Sequence, residues 1–174
     1  IETMERSLFC KLVGNRVLVN MGIPTDFSFG VDIFIDGRED RVHVLNTGVP
    51  HAVLFVEDEE DISVLRTGAL IRNHELFKPK GVNANFACVH SNGELFVRTY
   101  ERGVEGETLA CGTGATAAAI ASVRVKNLST PVSVRTRSGS LLEIDFVMDG
   151  DEVYDVTMTG EAQCIYQGSI EIPC

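Results

Sequence analysis

The stretch that most constrains this chain is a glycine-rich loop that runs straight into an alanine-rich segment. It reads Glu101-Arg102-Gly103-Val104-Glu105-Gly106-Glu107-Thr108-Leu109-Ala110-Cys111-Gly112-Thr113-Gly114, followed by ATAAAIASVRV. Alanine is the strongest helix former, so Ala115 to Val125 predicts a helix, and Gly112 and Gly114 let the chain turn into it. Cys111 is thereby placed at a helix start. Helix N-termini carry unpaired N–H groups and a partial positive charge. A thiol there is expected to have a lowered pKa, and a carboxylate can dock beside it. A thiolate and an anion site in one place point to chemistry on a small acidic molecule. A buried cysteine ahead of an ordinary helix is the plainer alternative for Cys-Gly-Thr-Gly alone; the preceding Glu-Arg-Gly favours the functional reading.

Elsewhere, short apolar or alternating runs broken by Gly, Asn or Asp read as strands. Ser7–Val13 and Arg16–Met21 flank Gly14-Asn15, and Val31–Ile35 and Val42–Leu45 flank Asp36-Gly37, both hairpin signals. His51–Val56 follows Pro50, and Val82–Val89 and Leu95–Tyr100 bracket Ser91-Asn92-Gly93. Beyond the Cys111 helix, Val132–Thr136, Ser140–Val147, Glu152–Met158 and Cys164–Ile172 are joined by Ser138-Gly139, Asp149-Gly150 and Gly160. Glu60 to Phe77 has helical spacing, with Ile62, Leu65, Ala69, Leu70 and Leu76 available for one face. The fold class is therefore α+β: many antiparallel strands and two helices.

Composition limits the function. The formal net charge of −10 argues against nucleic acid, which needs clustered Lys and Arg. No apolar run is long enough to span a membrane. The start, IETMERSLF, lacks the basic and apolar regions of a signal peptide. Cys10, Cys88, Cys111, Cys164 and Cys174 are odd in number and widely spaced, which suits reduced thiols and a cytoplasmic protein better than a disulfide framework. Zinc is not expected, because its ligands usually come in tight pairs and His43, His51, His74 and His90 are scattered. The acidic run at 57–61 reads as a solvated loop. The first residue is Ile1, within an amphipathic pattern, and the reading is a segment of a longer protein.

Three further segments are unusual for plain packing. Asn46-Thr47-Gly48-Val49-Pro50-His51 is a turn with a histidine opening the next strand. Pro79-Lys80-Gly81-Val82-Asn83-Ala84-Asn85-Phe86 sets two asparagines in a strand, where Asn is disfavoured, so the amides serve binding or the strand is an edge. Tyr100-Glu101-Arg102-Gly103 sets acid beside base at a strand end. In this order, (N)TGxPH, PxGVNxNF and ERGxxGETLACGTGA resemble the second half of diaminopimelate epimerase, over nearly the whole chain.

That resemblance implies one half of a two-domain fold, an antiparallel-strand-rich domain wrapped around a central helix. It implies inversion of the α-carbon of diaminopimelate by two cysteines without pyridoxal phosphate, metal or other cofactor, in lysine and peptidoglycan precursor biosynthesis. Cys111 corresponds to one catalytic cysteine, His51 to a histidine that tunes the thiols, and Glu101 to a third catalytic residue that also binds substrate with Arg102 and Asn83. Gly112 and Thr113 correspond to helix-start amides that hold the α-carboxylate. The implied partners are the amino-acid substrate and an N-terminal domain, with a homodimer left open and neither nucleic acid nor membrane involved.

Two departures stand out. Val49 replaces an asparagine common in the family, which makes another acidic amino acid such as glutamate thinkable. The family's other cysteine, in a Cys-Gly-Asn-Gly motif, has no counterpart here. Residues 1–22 are accordingly read as the last strands of the N-terminal domain, 23–160 as the C-terminal epimerase domain, and 161–174 as a strand returning to the first. The alternatives are a racemase of proline, hydroxyproline or an acidic amino acid, a non-catalytic member of the same fold, and, more remotely, a cysteine hydrolase using His51.

Overall fold

The structure, a computed structural model, describes residue 1 and residues 7–170. Strands β1 (Cys10–Val13) and β2 (Arg16–Gly22) form the hairpin expected at Gly14-Asn15. β3 (Thr25–Ile35) and β4 (Arg38–Asn46) follow, joined at Asp36-Gly37, whose φ values of 53° and 83° suit a primed hairpin turn. Next come β5 (Pro50–Phe55), α1 (Val64–Arg72), a 3₁₀ turn at Glu75–Phe77, β6 (Asn83–Val89), β7 (Leu95–Glu101) and a short β8 (Gly106–Thr108). The chain then forms α2 (Gly112–Lys126), β9 (Val132–Thr136), β10 (Leu141–Asp149) and β11 (Glu152–Glu161).

All the strands belong to one sheet in the order β1-β2-β11-β10-β9-β7-β6-β5-β4-β3, with β8 on β7. Most pairings are antiparallel. β5–β6 and β7–β9 are parallel, and α1 and α2 are the crossovers that parallel neighbours require. The expected helix at 115–125 is α2. It ends on Asn127 in the left-handed conformation (φ 57°), whose N–H caps Ser122.

Helix α2 is apolar on every side, which suits a helix enclosed by protein. Ala115, Ala117, Ala118, Ala119, Ile120 and Ala121 have no exposed surface. Around them pack Met21 of β2, Leu45 of β4, Val53 of β5, Ala87 of β6, Val97 of β7, Val134 of β9, Ile144 of β10 and Val156 of β11. The sheet thus wraps the helix as expected, and the small alanines let the strands come close.

Helix α1 packs on other residues than the sequence pattern suggested. The buried face is Val64, Thr67, Gly68 and Ile71, while Leu65, Leu70 and Leu76 are exposed. The cause lies at Gly68, where a Cβ would come within 2.5 Å of the Tyr100 Cβ. The helix docks on β7 through its smallest residue, and this contact outranks the leucines. Three other expectations change. β3 begins at Thr25 rather than Val31, and Gly160 lies inside β11 against Leu142 rather than in a turn. The strand expected over Cys164–Ile172 is absent from 162–170, which are exposed; residues 171 and 172 lie outside the described residues. Finally, β6 lies between β5 and β7, so its asparagines are not on an edge.

The α1 docking yields a prediction. Alanine raises helix propensity, yet Gly68→Ala is expected to lower stability by about 1–3 kcal/mol, the usual cost of overpacking. Urea unfolding of the two proteins, with the midpoint falling at unchanged slope, checks it. An unchanged or higher midpoint would contradict the docking argument.

Candidate active site

Strand register brings the scattered motifs together. His51 of β5 pairs with Asn83 of β6, and Ala84 pairs with Tyr100 of β7, so the Asn83 end of β6 meets the Glu101 end of β7. The Asn83 amide splices the three segments. Its Oδ1 accepts the Arg102 N–H at 2.8 Å, and its Nδ2 donates to the Pro50 carbonyl at 3.2 Å. The side chain is buried and engaged at both ends. Across the gap, the Thr47 hydroxyl donates to the Thr113 carbonyl at 2.9 Å, tying the turn before β5 to the first turn of α2.

Cys111 is the N-cap of α2 in extended conformation, and its Sγ accepts the Gly114 N–H at 3.4 Å. The Thr113 hydroxyl lies 3.4 Å from the same sulfur. The N–H groups of Gly112 and Thr113 belong to the first turn, where no carbonyl of the helix can receive them. The thiol's pKa is not lowered as the helix start suggested. Burial raises it most, and the Glu101 carboxylate raises it further, outweighing the Thr113 hydroxyl and the Gly114 N–H. In this chain Cys111 rests as the protonated thiol. The helix-start rule fails because a thiolate loses more by leaving water than one N–H and one hydroxyl return.

His51 has no exposed surface. Its Nδ1 lies 3.0 Å from the Asn85 amide nitrogen, and its buried Nε2 has no partner among the described residues. Burial above all pulls its pKa down to about 3, and the nearby Arg102 cation acts in the same direction. The ring is therefore neutral at pH 7.

Glu101 accepts the Thr108 hydroxyl at 2.7 Å, so β8 fixes its carboxylate near Cys111. Arg102 is held by long contacts to the Gly81 and Lys80 carbonyls (3.4 and 3.5 Å) and makes no ion pair among the described residues. Between β7 and β8, Arg98 and Glu107 form a two-pronged pair at 2.7 and 3.0 Å. The site thus offers one guanidinium without a carboxylate partner, one carboxylate, first-turn amides and a thiol. That set is complementary to a small zwitterionic acid.

The fold also assembles a group that the scattered histidines did not suggest. Glu59, Cys88 and His90 bring ligating atoms within 4.8 Å of one another, beyond the far end of β6 from Asn83. Each is already occupied within the protein: His90 Nε2 lies 3.2 Å from both Glu59 oxygens, and Cys88 donates to the Glu57 carbonyl at 3.2 Å. Burial and the acidic loop push the Cys88 thiol up to about 11. The remaining acids of the 57–61 loop are exposed, as expected. Cys10, Cys88, Cys111 and Cys164 are all free thiols. Cys174 lies outside the described residues. Among the described residues, no helix is long and apolar enough to cross a membrane.

The burial of His51 has a consequence for stability against pH. Its folded pKa, about 3, lies below the ordinary 6.5, so the unfolded chain binds the extra proton. The stabilisation is complete above pH 6.5 and is lost as pH falls towards 3, by up to ~5 kcal/mol. Compared with His51→Gln, the native chain is expected to lose stability more steeply across that window, as read by urea unfolding at successive pH values. Parallel pH curves would refute it.

A family model for diaminopimelate epimerase matches residues 43–165. The diaminopimelate epimerase of Aquifex aeolicus is 51% identical over 138 residues, covering 78% of this chain and 48% of the relative. That of Burkholderia vietnamiensis is 45% identical over 176 residues, covering 90% and 60%. The chain thus spans about half the length of the curated relatives it matches. Among solved structures, a hydroxyproline epimerase from Agrobacterium vitis superimposes with a TM-score of 0.68 at 16% identity, over 92% of this chain and 58% of that one. A Bacillus anthracis phenazine biosynthesis protein gives 0.63 at 10% identity, over 88% and 61%. These distant likenesses establish the α+β fold, and the match over residues 43–165 establishes the lineage: the chain belongs to the diaminopimelate epimerase family.

Proposed function

We propose that this chain supplies one catalytic half of a cofactor-independent epimerase that inverts the α-carbon of diaminopimelate. The observation that carries the reading is the meeting of Cys111, Glu101 and Arg102 at the start of α2, splinted by Asn83. The curated relatives bear the name of that activity.

Inversion needs a proton removed from one face of the α-carbon and another delivered to the opposite face. A thiolate takes the α-proton, the electron pair passes into the carboxylate as an enolate, and a thiol on the other side returns a proton to carbon. Cys111, resting protonated, is the donor in one direction and, once it has given up its proton, the base in the reverse. Arg102 and the amides of Gly112 and Thr113 hold the carboxylate where the negative charge grows, and Glu101 takes the ammonium. His51, neutral and buried, sets the polarity around the thiol without exchanging protons itself.

The second acid–base group lies outside these 174 residues in this reading. The supporting feature is an apolar surface unusual for a finished domain. Phe9, Leu12 and Ile23 near β1 and β2 are 68%, 77% and 76% exposed, and Ile165, Tyr166 and Ile170 exceed 85%. A further domain, with residues 1–22 and 161–174 lying against it, would cover this surface and close the site to water, which strengthens each charge contact. Val49 leaves an acidic amino acid other than diaminopimelate as the second reading of the substrate.

The direct test is deuterium incorporation at the α-carbon of diaminopimelate in heavy water. The 174-residue chain alone is expected to be inactive, and adding a half that contains a Cys-Gly-Asn-Gly motif is expected to restore exchange. Epimerisation by the chain alone, at the rate of the assembled enzyme, would show that the second base is misplaced. In the assembled enzyme, Cys111→Ala is expected to abolish inversion with unfolding unchanged. Arg102→Lys is expected to raise KM by about tenfold or more, since the planar fork on the carboxylate is lost.

A further inference from the structure

We propose that Asn85 is a positioning residue of this site: it fixes the His51 ring with its proton on Nε2, leaving one buried N–H for an acidic ligand. The inference rests on the functional reading above for its purpose and on the hydrogen bonds alone for its geometry.

Asn85 is fully buried on β6. Its Nδ2 faces the Ala52 and Asn83 carbonyls at 3.3 and 3.4 Å, and its Oδ1 receives the Thr99 hydroxyl at 3.0 Å. Carbonyls accept and cannot donate, so the amide cannot be turned around without facing oxygen to oxygen. The nitrogen 3.0 Å from His51 Nδ1 is therefore a donor, and Nδ1 accepts. A neutral imidazole carries one proton, so it sits on Nε2. Nε2 is buried with no partner among the described residues. An unpaired buried donor costs ~1–3 kcal/mol, so such a group calls for an acceptor brought by a ligand.

The same pair abuts the catalytic turn. A Cβ at Gly114 would lie 2.3 Å from Asn85 Oδ1 and 3.2 Å from both Thr99 Oγ1 and Cys111 Sγ. Only glycine lets α2 start this close to the asparagine. Asn85 and Thr99 thus form the floor on which the Cys111 turn rests, and they orient the histidine beside it. The proline-to-phenylalanine segment at 79–86 drew attention to Asn85, yet nothing in its sequence separates this amide from that of Asn83. Asn83 holds backbone at both ends, whereas Asn85 meets another side chain that can exist in two tautomers.

Long-range proton–nitrogen NMR of the 174-residue chain, labelled at histidine, reads the tautomer directly. The expected spectrum at neutral pH has His51 with bare Nδ1 and protonated Nε2. Asn85→Asp presents an acceptor where a donor stood, so the proton is expected to move to Nδ1 and the ring to titrate nearer the ordinary range. Asn85→Ala removes the donor and is expected to give a mixture of tautomers; it keeps the test decisive should Asn85→Asp fail to fold. A wild-type ring protonated on Nδ1, or a tautomer unmoved in a folded variant, would overturn the assignment. This readout involves no epimerisation, so it stands or falls apart from the proposed activity. In the assembled enzyme, Asn85→Asp is expected to lower kcat by roughly 10²-fold with KM changed less and the pH profile displaced. A moved tautomer with unchanged kcat would overturn the positioning role.

Discussion

A helix without a polar face can exist in water only if other elements enclose it, and everything else in this structure follows from enclosing α2. Nine consecutive residues, Gly114 to Ser122, are buried. Alanine and glycine remove little apolar area each, so the helix draws its stability from the strands closing around it at short range. The β7–α2–β9 crossover forces β7 and β9 to run parallel on the far side of the helix. Once β7 is fixed, its end at Glu101 and the α2 start at Cys111 lie beside each other, joined by the β8 pairing. The Cys111 turn is thereby held by the core and does not depend on loop rigidity.

Polar side chains complete what the core begins. Asn83 and Asn85 lie in the middle of the sheet, where asparagine is normally unfavourable. They are tolerated because each amide finds acceptors and donors at the start of β5 and the end of β7: backbone groups for Asn83, the Ala52 carbonyl and the Thr99 hydroxyl for Asn85. Buried networks of this kind are costly when incomplete and rigid when satisfied. Here only His51 Nε2 is left over among the described residues.

Much of this was legible in the residues. Asp36-Gly37, Gly14-Asn15 and Asp149-Gly150 marked true hairpins because left-handed backbone is demanded there. The alanine run marked α2, and the ordered motifs are segments that the strand register brings together. The face of α1 was not legible, because leucine spacing carries no information about where a neighbouring strand leaves room only for Gly68. The short β8 has three residues and no periodicity to read. The trio of Glu59, Cys88 and His90 was invisible because strand ends and a loop distant in sequence meet only in the fold. Residues 162–170 have the composition of a strand, but a strand also needs an edge to pair with.

The thiol shows how two rules of local chemistry compete. A helix start lowers a pKa through partial charges worth typically 0.3–1 kcal/mol when exposed and about 2 when partly buried. Removing a thiolate from water, next to the Glu101 carboxylate, acts in the opposite direction and wins. The same contest is settled at His51, where burial and the Arg102 cation leave the ring uncharged. Two groups that could carry charge are thus kept neutral, while Arg102 makes no ion pair among the described residues. The resting half-site therefore presents a neutral thiol and a neutral imidazole beside the Glu101 carboxylate and the Arg102 guanidinium.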